Sequence, residues 1–139
     1  MFKFFKNLFC KKKYSIYVVE DDNFFLNAVR IQLEISFKYD ADLQLFMSSD
    51  AILEQTIQPN AIIMDYHLGE HSECDGAELI RRLRTKFPTA KLIVLTHEGD
   101  IEIAQESYKL GVDNFIKKDV KAVKAVIQEL VYNKDLQRK

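Results

Sequence analysis

A chain of 139 residues, 47% hydrophobic, is long enough to bury one real core and is most economically a single domain. Its net charge of −1 gives it no electrostatic reason to bind nucleic acid, and no apolar stretch reaches the roughly 20 residues needed to span a bilayer. The N-terminus lacks the continuous apolar run and small-residue cleavage site of a secretory signal, so a cytoplasmic location is expected.

Residues 1–13 stand apart, with Lys3, Lys6, Lys11, Lys12 and Lys13 and no acid. On a helical wheel Phe2, Phe4, Phe5, Leu8 and Phe9 fill one side, and Lys3, Lys6 and Asn7 the other. An amphipathic helix making weak contact with an anionic membrane surface has this pattern. A helix docked on the domain or on a partner, or a disordered extension, fits it as well. Cys10 and Cys74 match no metal spacing, so reduced thiols are the expectation, with a disulfide as the alternative.

From residue 14 onward strand and helix patterns alternate. Residues 16–19 are β-branched and aromatic, as in a buried strand. Phe24, Phe25, Ala28, Val29, Leu33 and Phe37 then recur at helical spacing from Asn23. Leu43, Leu45 and Met47 alternate as a second strand. Ser48 or Ser49 can cap a short helix bearing Ile52, Leu53 and Ile57, stopped by Pro59. Residues 61–64 form a third strand, and 77–84, after Gly76, a helix with an apolar stripe and a basic face. Residues 91–95 make the fourth strand, ending at Thr96. Asp100 can cap a helix with Ile101, Ala104, Tyr108 and Leu110 inward and Gly111 as its stop. A fifth strand covers 114–116, and 120–132 close the chain as an amphipathic helix. The implied organisation is a basic segment 1–13, a domain 14–133 and a tail 134–139. Strands alternating with helices imply an α/β fold, a parallel sheet covered on both faces.

The strand ends carry the chemistry. Glu20-Asp21-Asp22 follows the first strand and Asp65 the third, while Thr96 and Lys118 follow the fourth and fifth. Ligands of open α/β sheets bind at that edge. Clustered carboxylates repel when desolvated, so they call for a cation or a proton. Few carboxylates with open water positions suit Mg²⁺ better than Ca²⁺. One carboxylate could then attack a phosphoryl group, with Lys118 and Thr96 meeting phosphoryl oxygens. Taken alone, Asp21 or Asp22 is also an ordinary helix cap. His67, His71 and His97 lie on loops without ligand spacing.

Val18-Val19-Glu20-Asp21-Asp22, Ile62-Ile63-Met64-Asp65, Leu95-Thr96 and Gly111-Val112-Asp113-Asn114-Phe115-Ile116-Lys117-Lys118 resemble the receiver domain of two-component response regulators. The resemblance implies a doubly wound five-stranded parallel sheet, order 2-1-3-4-5, of the flavodoxin-like kind. It implies Asp65 as phosphoacceptor, receiving phosphate from a sensor histidine kinase or histidine phosphotransfer protein. It makes Asp21 the direct Mg²⁺ ligand, Glu20 an acid acting on the metal, and the His67 carbonyl a further ligand. Thr96 and Phe115 match the switch pair and Lys118 the family lysine, since strand alternation turns Lys117 away. A stand-alone receiver of this kind phosphorylates and dephosphorylates itself rather than acting as an enzyme, and signals by contact with a downstream target protein.

Departures from the pattern are local. Asp119 stands where proline is common, Leu68-Gly69 lacks the usual proline, and His97 replaces a small residue. Asp65 lies eleven positions before Gly76 where about eight are usual, so loop 69–75 is about three residues longer. The alternative function is a phosphate-independent binding module on the same fold. An aspartyl-nucleophile hydrolase would need a cap and an acid where His67 stands.

Overall fold

Among the residues the structure describes, β-branched and aliphatic runs punctuated by acids, serines and prolines become five strands and five helices in strict alternation. The computed structural model describes residues 12–38, 40–97 and 101–137. Cys10, Asp100 and the amphipathic pattern expected before Lys12 lie outside them. In chain order the elements are β1 (Tyr14–Val19), α1 (Asn23–Phe37), β2 (Ala41–Phe46), α2 (Ser49–Leu53) and β3 (Ala61–Asp65). There follow α3 (Gly76–Lys86), β4 (Lys91–Thr96), α4 (Ile101–Lys109), β5 (Asn114–Lys117) and α5 (Ala122–Gln137). All neighbouring strands pair in parallel, in the order β2-β1-β3-β4-β5.

Strand alternation splits the core into two layers. Tyr17, Val19, Ile62, Met64, Leu92 and Val94 face α2 and α3, burying Ile52, Leu79, Ile80 and Leu83. Ile16, Val18, Ala61, Ile63, Ile93 and Leu95 face α1 and α5, burying Leu26, Val29, Leu33, Val126 and Leu130. β3 is buried along its whole length, as a central parallel strand should be. The helices start where the backbone amides find acceptors: Asp22 accepts from Phe24 and Phe25, and Ser48 from Ala51.

Several boundaries and faces differ from the sequence pattern. Phe24 belongs to α1 but is 85% exposed, because Phe24, Ile31 and Ile35 form a second helical stripe turned from the sheet. α2 ends at Leu53 rather than near Pro59, leaving Ile57 exposed in the following loop. In α4 Ile101 and Tyr108 point outward and the buried position is Ser107, whose hydroxyl donates to the Ile103 carbonyl at 2.7 Å. α5 begins at Ala122, after the exposed Val120, and continues through Gln137. Among the described residues, no helix is long and apolar enough to cross a membrane.

Candidate functional site

The parallel sheet brings four chemically distinct strand ends to one edge. The Glu20 N–H donates to Phe46 at 3.0 Å, the Tyr66 N–H to Leu95 at 2.7 Å and the Lys118 N–H to Thr96 at 2.6 Å. These bonds prolong the ladders by one rung and fix where each side chain leaves the sheet. Glu20, Asp65, Thr96 and Lys118 are all buried, which is costly for the three charged groups unless they pair. They do pair. Lys118 Nζ lies 2.7 Å from Glu20 Oε2 and 3.1 Å from Asp65 Oδ2, and 4.5 Å from the centre of the Phe25 ring. One ammonium therefore bridges two carboxylates against an aromatic face. Lys117, one residue earlier, is exposed.

Burial pushes the Glu20 carboxyl up to about 7, and the Asp65 charge adds to this, while hydrogen bonds from Lys118 and the Asp22 N–H only partly oppose it. For Lys118 burial works against the charge. The hydrogen bond to Glu20 and the charges of Glu20 and Asp65 outweigh it and raise the ammonium above its ordinary value. The pairing thus favours the charged form of Lys118, while burial makes Glu20 the member of the pair that holds its proton to higher pH.

Asp21 is exposed, yet donor oxygens of Glu20, Asp21 and Asp65 lie within 4.8 Å of one another. Three carboxylates, two buried and one open to solvent, suit a hard, oxygen-ligated cation that keeps part of its water. The His67 N–H donates to Asp65 Oδ1 at 3.3 Å, a local turn that ties the backbone just past the acid to its carboxylate. Its imidazole stands edge-on to the Tyr66 ring, 4.9 Å between centroids. Thr96 and Phe115 lie on adjacent strands, with Val94 paired to Phe115 and Thr96 to Lys117. They therefore share the α3 face of the sheet, and the half-buried Phe115 ring packs edge-on to Tyr66 at 6.4 Å.

Sequence reasoning marked Leu68-Gly69 as a departure and loop 69–75 as long, but not the contacts that organise the loop. Gly69 donates its N–H to Asp21 Oδ2 at 2.8 Å, and Leu68 donates to Asp75 Oδ2 at 3.2 Å. Ser49 N–H donates to Ser72 Oγ, Glu73 N–H to Asp50 Oδ1 and Cys74 N–H to Ser49 Oγ, at 3.1, 2.9 and 3.2 Å. Leu68 and Cys74 are buried as apolar anchors. Gly76 ends the loop at φ +52, where a Cβ would lie 3.1 Å from Tyr66 Cζ; only glycine takes that conformation readily. The Ser48-Ser49-Asp50 run was the available signal, and it reads equally well as a helix cap.

The photosynthetic apparatus regulatory protein RegA of Rhodobacter capsulatus is 27% identical over 108 residues, covering 78% of this chain and 56% of RegA. The transcriptional regulatory protein FixJ of Bradyrhizobium diazoefficiens is 25% identical over 108 residues, covering 76% of this chain and 50% of FixJ. The chain thus spans about half the length of these two relatives. In fold it is similar to the receiver domain of the Francisella response regulator 1452, with a TM-score of 0.76 at 18% identity, over 90% of this chain and 99% of that one. Residues 16–129 match the response regulator receiver domain as a family, and the chain belongs to it.

Proposed function

We propose that Asp65 accepts a phosphoryl group from the phosphohistidine of a sensor histidine kinase or histidine phosphotransfer protein, and that the phosphorylated form signals by contact with a target protein. The observation that carries this reading is a buried Asp65 carboxylate 3.1 Å from the Lys118 ammonium, with Glu20 and Asp21 in reach. An Asp65 oxygen attacks phosphorus while the P–N bond of the donor breaks and its electron pair returns to the imidazole nitrogen. Lys118 is already beside Asp65, so its charge is in place to receive a phosphoryl oxygen. Thr96 supplies a hydroxyl at the neighbouring strand end, and Phe115 is the aromatic partner whose packing on Tyr66 would register its movement. Mg²⁺ held by Glu20, Asp21, Asp65 and the His67 carbonyl would supply positive charge to offset the carboxylates and the phosphoryl oxygens. A phosphoacceptor of this kind turns over only its own phosphate and needs no separate substrate site.

Beryllofluoride, a phosphoryl mimic, tests this directly. Fluorine NMR should show Mg²⁺-dependent binding to the wild type and none to Asp65→Ala. A folded wild-type protein that binds no beryllofluoride with Mg²⁺ present would overturn the reading and favour a phosphate-independent binding module.

A further inference from the structure

The acidic cluster has one loose member. Glu20 and Asp65 are buried and held by Lys118, whereas Asp21 is exposed. An exposed carboxylate samples several rotamers, and fixing it as a ligand costs that freedom. Here the cost is met in advance by a residue 48 positions away: the Gly69 N–H donates to Asp21 Oδ2 at 2.8 Å. The contact depends on glycine. A Cβ on Gly69 would lie 2.7 Å from Asp21 Oδ2, closer than a carbon and an oxygen can pack.

Gly69 is itself held. The Ser72 N–H donates to its carbonyl at 3.1 Å, and the preceding Leu68 N–H is bonded to Asp75. The far side of the loop is tied to Ser49 and Asp50 of α2. Loop 69–75 is therefore a braced segment that delivers one amide to one carboxylate oxygen.

We propose that Gly69 is the positioning residue for Asp21: its N–H fixes one carboxylate oxygen and so leaves the other free to serve a cation shared with Glu20 and Asp65. The inference rests on the phosphoacceptor reading of the site and extends it to the loop. A hydrogen bond to the remaining oxygen of a ligand typically changes metal affinity by ten- to a hundredfold.

The test uses the full chain, titrated with Mg²⁺ and followed by backbone amide NMR shifts. Gly69→Pro removes the N–H, Gly69→Ala keeps it but adds the methyl group, and Glu70→Ala is the control. Both Gly69 variants should bind Mg²⁺ about tenfold or more weakly, and Glu70→Ala like the wild type. In an Asp21→Ala background Gly69→Pro should cost nothing further, and in Asp21→Ala alone, with Gly69 retained, the Gly69 amide should lose its protection from hydrogen exchange. Should Gly69→Pro fail to fold, Gly69→Ala and the exchange measurement carry the test. Equal Mg²⁺ affinity in wild type and folded Gly69 variants would overturn the positioning role and leave the phosphoacceptor reading standing. The same loss in both Asp21 backgrounds would overturn it too, as an effect of loop structure alone. A folded wild type that takes up no Mg²⁺ would overturn both.

Discussion

Glu20 and Lys118 meet at 2.7 Å in a buried setting, and the two respond to burial in opposite ways. Lys118 keeps its charge because two acids share it, whereas Glu20 must share Lys118 with Asp65. Burial, with the Asp65 charge added to it, pushes the Glu20 carboxyl up to about 7 against an ordinary value of 4.5, and the shared Lys118 only partly opposes this. A folded-state value above the unfolded one means that the folded protein holds a proton the unfolded chain has released. The resulting stability is fully present below pH 4.5 and is lost as pH rises through about 7. Without metal, stability should therefore fall across that window, by up to about 3 kcal/mol. Glu20→Gln should flatten the fall. Urea unfolding in chelator at a series of pH values measures both, and a wild-type profile as flat as that of Glu20→Gln would show that Glu20 is ionised throughout. Mg²⁺ should reduce the slope, because the cation favours the ionised carboxylate that burial disfavours.

At the scale of elements, α1 shows where sequence periodicity stops being decisive. Leu26, Val29, Leu33 and Phe37 are buried, while Phe24, Ile31 and Ile35 lie on the outer side. Both sets have helical spacing, so the pattern announces a helix without saying which stripe faces the sheet; only packing on β1 and α5 decides. The strands were more legible because residues 16–19, 61–64 and 92–95 are apolar throughout and each run stops abruptly at a polar residue. Those stops are Glu20, Asp65 and Thr96, and Lys118 follows β5, so the centre of the site could be read along with the sheet. Its rim could not: Gly69 to Asp21 and Cys74 to Ser49 are side-chain–backbone bonds between distant segments, and no local pattern encodes them. The two α1 stripes make a direct comparison. Leu33→Ala should cost about 2–5 kcal/mol as a cavity in the core, whereas Phe24→Ala should change stability by no more than about 0.5 kcal/mol. Equilibrium urea denaturation separates them, and equal losses would place Phe24 in the core after all.

Across the whole molecule, stability and chemistry occupy opposite edges of one sheet. β1 runs from Tyr14 to Val19, just before Glu20, so its two ends are separated by roughly 20 Å. At the far edge Tyr14 stacks on Phe37, with ring centroids 5.7 Å apart, and its hydroxyl donates to Asn133 Oδ1. The last turns of α5 seal this corner. Lys134 Nζ lies 5.0 Å from the centre of the Phe37 ring and 3.7 Å from Asp40 Oδ2. The segment from 134 onward is thus helix up to Gln137, although its polar sequence reads as a tail. Removing residues 134–139 strips a cation–π contact and an ion pair, one partner of which is exposed, for a cost of about 1–2 kcal/mol. The acidic edge, built on the other ends of the same strands, should be untouched. The truncated protein should therefore melt at lower temperature yet bind Mg²⁺ and beryllofluoride with wild-type affinity when assayed well below its transition. A parallel loss of affinity would mean that the two edges are coupled through α1, whose Phe37 lies under Lys134 and whose Phe25 lies under Lys118.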